Sequence, residues 1–141
     1  MPELGEPVDR PVRLLGFWVT PENQTLPNPA DLVDPGWEES ERQWVADYLN
    51  HGLVAGSWMG ASRCRLCSCS NGSRDLTDGY YLWPEGLGHY VLDHGVRLPA
   101  EFLDHIEQRL EALEELERDS SWWRQNSEFV TAVRAGEFGS L

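Results

Sequence analysis

Apolar and polar positions fall in blocks along this 141-residue chain, and the period of the blocks changes several times. Val12-Arg13-Leu14-Leu15-Gly16-Phe17-Trp18-Val19 reads as a strand, ended by Thr20-Pro21. Residues 20–36 hold prolines at 21, 27, 29 and 35, which predicts an extended, irregular arm packed along the surface. Asp34-Pro35-Gly36-Trp37-Glu38-Glu39 carries helix-start chemistry: a capping Asp, an early Pro and acidic residues in the first turn. The helix predicted from it runs to Asn50, with Trp44, Val45, Tyr48 and Leu49 as its apolar stripe and Gly52 as a left-handed C-cap.

Residues 53–63 read as a short strand, with Val54, Trp58 and Met59 apolar and with breaks at Gly56 and Gly60. Ser70-Asn71-Gly72-Ser73 is a tight-turn signal. Leu76 to Trp83 gives a turn at Asp78-Gly79 and then a strand. Pro84-Glu85 opens a helix through Asp93 that Gly95 closes, so the order here is ββα. Leu98-Pro99-Ala100-Glu101 starts a long helix. Phe102, Ile106, Leu110, Leu113 and Leu116 share one seam of it, while Glu107, Glu111, Glu114, Glu115 and Glu117 form a solvated opposite face. Ser120 or Ser121 caps a further helix through Phe129, Val130 and Val133 to Gly136. No internal repeat is present. The expected fold is α+β: a flexible N-terminus over 1–11, one globular domain over 12–136 with a zinc-finger-like centre at 57–95, and a flexible tail over 137–141.

The candidate chemistry lies in that centre. Cys64-Arg65-Leu66-Cys67 is a CxxC knuckle, and His89 and His94 follow on the next helix, giving C-x2-C, 21 residues, then H-x4-H. Thiolates and neutral imidazoles converging at about 2.0–2.3 Å are how small domains hold tetrahedral zinc. His89 and His94 diverge by more than a quarter turn on an ideal helix, which zinc-finger helices absorb in their last turn. Three readings stand side by side: Zn2+ held by Cys64, Cys67, His89 and His94, a site with an open position, or reduced cysteines beside a packed His89 and a dipole-complementing His94. Cys69 stands in reach as a replacement for Cys67 or for a histidine. A second constellation, Asp75 and Asp78, is either a carboxylate pair or a set of caps on turn amides; the turn reading is favoured, since EF-hand spacing is absent.

Composition changes the picture at two points. Twenty-four acidic against 11 basic residues give a net charge of −13, which repels phosphate backbones and anionic bilayers, so neither nucleic acid nor membrane is an expected partner. The start of the chain shows no charged-then-apolar signal pattern, and three cysteines within six positions suit a reducing compartment, so a cytoplasmic location is expected. Seven tryptophans are the outlier. Trp18, Trp44 and Trp83 sit inside apolar patterns and are predicted to pack. Trp122 and Trp123 are adjacent, so both cannot face one core, and one of them is a candidate interface residue.

The run Cys64-Arg65-Leu66-Cys67, then Leu76-Thr77-Asp78-Gly79-Tyr80-Tyr81-Leu82-Trp83-Pro84-Glu85-Gly86-Leu87-Gly88-His89-Tyr90-Val91, then His94 and Leu98-Pro99, resembles a set of small bacterial proteins, many of them actinobacterial. The similarity spans residues 14 to 106, including Leu32-Val33-Asp34-Pro35. That set brings no settled activity, so the resemblance carries over no catalytic residue. The ligand pattern also resembles the zinc-finger class in ligand type only; the gap is longer and the helix lacks basic residues. Nucleoside-deaminase, Walker, G-x-S-x-G and H-E-x-x-H patterns are absent. The expected function is a binding or adaptor protein with structural zinc and a protein partner. The first alternative is a small metal-dependent enzyme acting on a small molecule or peptide, with Glu85 one turn before His89 as base. The second is an acidic neutraliser of a basic partner.

Overall fold

The structure is a computed structural model and describes residues 10–128. It is α+β, with a four-stranded sheet and four helices among those residues. The strands are β1 (Arg13–Leu14), β2 (Leu53–Ser57), β3 (Arg74–Thr77) and β4 (Tyr81–Pro84), in the order β1-β4-β3-β2. β2, β3 and β4 form an antiparallel meander, and β1 adds in parallel beside β4. The helices are α1 (Glu39–Asn50), α2 (Leu87–His94), α3 (Ala100–Glu114) and α4 (Ser121–Asn126).

Contacts divide the chain after Ile106 into two compact units. The described core lies wholly in the first. Trp83, Phe102, Leu49, Leu87, Ile106, Val45 and Val91 are its largest fully buried side chains, each contributing about 1.5–3 kcal/mol by leaving water. From Glu107 to Glu128 no described residue is buried. The domain expected over 12–136 therefore has its described core narrowed to the segment ending at Ile106. Residues 1–9, the extension of the last helix over Phe129 to Gly136, and the tail 137–141 lie outside the described residues.

Several local expectations are corrected. The strand read over 12–19 shortens to Arg13–Leu14, with the Leu15 amide still bonded to the Leu82 carbonyl before the chain turns at Gly16 (φ +76°), where Leu87 lies close. Asp34 caps a turn rather than α1: its Oδ1 accepts from the Gly36 amide, and α1 begins four residues after Pro35, at Glu39. Trp44 is 36% exposed; α1 buries Val45, Ala46 and Leu49 instead. Pro84 closes β4 opposite Asp75, so α2 begins only at Leu87. The apolar seam predicted from Phe102 to Leu116 is buried at Phe102 and Ile106 and exposed at Leu113 and at Leu116, which lies past the end of α3. α4 takes its cap from Asp119, which accepts from the Ser121 amide and hydroxyl, and Trp122 and Trp123 are both exposed and stacked on each other at 6.5 Å.

Other expectations are met. Gly95 closes α2 at φ +64° with its amide bonded to Val91. The Pro-rich arm packs on the body: Asp34 and Arg97 amides bond to Gly95 and Leu32 carbonyls, and Pro29, buried, starts a 3-10 turn capped by Asn28. Trp83 is fully buried and its indole N–H donates to the Leu49 carbonyl at 3.1 Å, tying β4 to the end of α1.

Gly52 is needed for a reason other than the one its position suggests. His51 occupies the C-cap, and Gly52 has no positive φ. A Cβ at Gly52 would lie 2.8 Å from Trp83 Cζ2 and 3.0 Å from Leu76 Cβ. Gly52→Ala is expected to cost about 1–3 kcal/mol by overpacking. Gly56→Ala, where a Cβ meets nothing within 4 Å, stays within about 0.5 kcal/mol. Urea unfolding of both variants checks this, and equal midpoints would remove the packing account of Gly52.

Candidate metal centre

The cysteines sit at the far end of the β2–β3 hairpin. Beyond β2 the two arms stay paired through the Arg63–Ser70 bridge and through reciprocal amide bonds of Ser62 with Gly72 and Asn71. The knuckle itself is a tight loop. The Cys64 amide donates to the Cys69 carbonyl and the Ser68 amide to the Cys64 carbonyl, both at 2.8 Å, with Ser68 at φ +63°. The Leu66 amide points at Cys64 Sγ at 3.4 Å, and such N–H donors stabilise a thiolate.

The hairpin end is pressed against the start of α2 by two close approaches. A Cβ at Gly86 would lie 2.2 Å from the Asn71 side chain, and one at Gly72 the same distance from Glu85. Glu85 accepts from the Ser73 and Arg74 amides and from the Arg74 guanidinium at 2.9–3.0 Å, and these bonds hold its carboxyl below the ordinary carboxylate range. The Tyr90 hydroxyl on α2 accepts from the Arg65 amide at 2.8 Å, fastening the knuckle directly to the helix; burial pushes that phenol up.

Cys64, Cys67, His89 and His94 are brought together, with one ligand atom from each lying within 4.8 Å of the others. Tetrahedral bonds of zinc length put ligand atoms roughly 3.4–3.8 Å apart, and Cys67 Sγ is already 3.3 Å from His89 Nε2. Three details fit a cation. His89 Nδ1 is bonded to Asp93 Oδ2 at 2.7 Å, which leaves Nε2 for a ligand on the knuckle side. His94 Nε2 is buried without a hydrogen-bond partner, an orphan that a metal ion would satisfy. Cys64 is 1% exposed, so its sulfur is shielded from competing water. Cys69 lies outside this four-residue cluster but touches it, its Sγ 2.9 Å from Cys67 Sγ.

Asp93 was not singled out from the sequence, although its i, i+4 spacing from His89 carries the signal. The Asp75 and Asp78 constellation is not a carboxylate pair. Asp78 Oδ1 accepts from the Tyr80 and Tyr81 amides, and Oδ2 from the Tyr48 hydroxyl and His105 Nε2 at 2.5 and 2.7 Å, so both oxygens are committed to packing α1, α3 and the β3–β4 turn. Nothing in the local pattern marks His105, which arrives from another element. Asp75, by contrast, has a buried Oδ1 without a partner, and burial raises its carboxyl.

Compared with protein-family models, curated proteins and solved structures, the chain matches none. No helix among the described residues is long and apolar enough to cross a membrane.

Two outcomes follow from these contacts. Asp93→Asn weakens the orientation of His89 and is expected to lower affinity for Co2+, used as a spectroscopic probe, by about 10–100-fold; unchanged titration curves would refute the Asp93 role. Burial alone would raise the Asp78 carboxyl, but its bonds to Tyr48, Tyr81, His105 and Tyr80 outweigh burial and hold it below the ordinary value. Its folded pKa is thus below the unfolded value of about 3.9, so its stabilisation is complete above that pH and is lost as pH falls through the folded value. Asp78→Asn is expected to cost about 1–3 kcal/mol at neutral pH and to flatten the acid limb below about pH 4. Urea midpoints followed from neutral pH to about pH 2 test this, and parallel curves for the two proteins would exclude it.

Proposed function

We propose that the protein is a zinc-binding protein whose metal is structural, serving a binding or adaptor role in the cytoplasm. The observation that carries the reading is the convergence of two thiols and two imidazoles, with His94 Nε2 buried without a partner and His89 held through Nδ1 by Asp93. Two soft sulfurs with two imidazoles suit tetrahedral zinc better than calcium, magnesium or manganese, which take oxygen ligands. A net charge of −13 adds a field that gathers cations. Three cysteines with no disulfide among them suit a reducing compartment.

Four protein ligands close a tetrahedron, which favours structure over catalysis. Glu85, the residue one turn before His89 that an enzyme would use as base, is held by Arg74 and two backbone amides and kept ionised. It therefore supports the fold of the hairpin end rather than proton transfer. The protein partner expected from the sequence remains part of this proposal. The exposed Trp122–Trp123 stack is a candidate contact for it.

Metal analysis of protein purified under reducing conditions tests the reading. One equivalent of zinc per chain is expected, with Cys64→Ser and His94→Ala each losing it. Chelation should unfold the hairpin end and lower the melting temperature, since structural zinc is worth about 10–16 kcal/mol of apparent binding energy in small fingers. A wild-type protein that is folded and carries no stoichiometric metal would overturn the proposal.

A further inference from the structure

Beside the knuckle, on the face of α2 that carries Tyr90, lies a cavity of about 480 Å³. This is within the size range of small-molecule sites. Its walls are Phe17, Trp18, Leu26, Trp58 and Leu87, with Tyr90 at the knuckle side. Trp18 stands edge-on to Tyr90 at 5.2 Å, so one indole is fixed in place, while Trp58 is 38% exposed. A soluble body gains nothing by keeping indoles around open space; such a concavity points to a ligand.

The charge of the lining is the second observation. Over the whole chain acidic residues outnumber basic ones by 24 to 11, yet no lining residue carries a carboxylate and two, Arg63 and Arg65, carry guanidinium groups. Each arginine spends one nitrogen on a backbone carbonyl, Arg65 on Val19 and Arg63 on Ser68. The rest of each five-donor fork is left for an acceptor. A fork held by a carbonyl at Nη1 has less freedom to lose on binding a planar anion, and its Nε and Nη2 donors remain to match a carboxylate bidentately. We infer that this cavity binds a small aromatic carboxylate, with its ring on the tryptophan and leucine walls and its carboxylate on Arg63 and Arg65. None of the four candidate metal ligands lines the cavity, so the two sites are distinct although Tyr90 and the knuckle frame both.

The test is calorimetric titration of the full chain with 2-naphthoate, 2-naphthalenemethanol and 2-naphthylmethylammonium, with metal content measured on the same sample. The acid is expected to bind at least about tenfold more tightly than the alcohol, and the amine most weakly. Trp58→Ala should weaken acid and alcohol alike. Arg65→Gln should bring the acid to the level of the alcohol. Arg65 lies within the knuckle, so the exposed Arg63→Gln gives the same comparison at a position outside it, where a partial loss of the preference is expected. Equal affinity for acid and alcohol, or no binding of the acid, overturns the inference whatever the metal content. Naphthoate selectivity in a metal-free protein would sustain it while removing the zinc reading.

Discussion

The hairpin end from Trp58 to Ser73 has almost no hydrophobic reason to be where it is. Cys64 is its single buried residue; the others are exposed or half-buried. Backbone bonds between the arms fix its local shape but not its position against α2, because such bonds form equally well with the arm pointing into water. Its position comes from a few side-chain contacts: Glu85 on the arm's amides, the Tyr90 hydroxyl on the Arg65 amide, and the meeting of two sulfurs with two imidazoles. The first two are worth about 1–3 kcal/mol each at best. A metal held by the four would outweigh both by a wide margin, and it would tie four positions to one point.

That constraint explains why the body is built as it is. α2 must present His89 and His94 toward the hairpin end while burying Leu87, Gly88, Tyr90 and Val91 against the rest. An eight-residue helix can do both only if it is anchored tightly, and glycine supplies the closeness. Gly88 has no side chain where the Asn50 amide lies, and Gly16 none where Leu87 lies. α1 and the loop at Gly16 thus hold α2 closely, and α2 supplies half of the ligand set.

What could be read from the chain follows from how local the determinant is. The CxxC loop, the Asp78-Gly79 turn and the Gly95 cap are written in a few neighbouring residues, and each stands where the pattern puts it. The failures came where a distant partner decides. Gly52 reads as a helix cap but is small because Trp83 and Leu76 arrive there from the sheet. Trp44 follows an apolar period, yet α1 turns Val45 and Leu49 inward and leaves the indole half in water. Asp78 caps the turn amides as its position suggests, but nothing local shows that Tyr48 and His105, from two other helices, take its second oxygen. Leu113 and Leu116 continue a seam whose buried part stops at Ile106. Period and composition report which face is apolar; they do not report how far along an element the covering partner extends.

The charge distribution is the remaining link between fold and function. An excess of 13 negative charges on a small protein repels itself, a cost that falls on the compact state and is tolerated where it serves solubility or steering. At the Cys64, Cys67, His89 and His94 cluster that field would favour a cation, since two thiolates and a cation are less costly together than two thiolates alone. The cavity beside it runs against the field, with two guanidinium groups and no carboxylate. Arg65 belongs to both: it stands inside the Cys64–Cys67 loop, its amide goes to Tyr90, and its side chain reaches across to the Val19 carbonyl at the cavity wall. One residue therefore serves two places, its backbone in the loop that carries the cysteines and its side chain in the wall of the cavity.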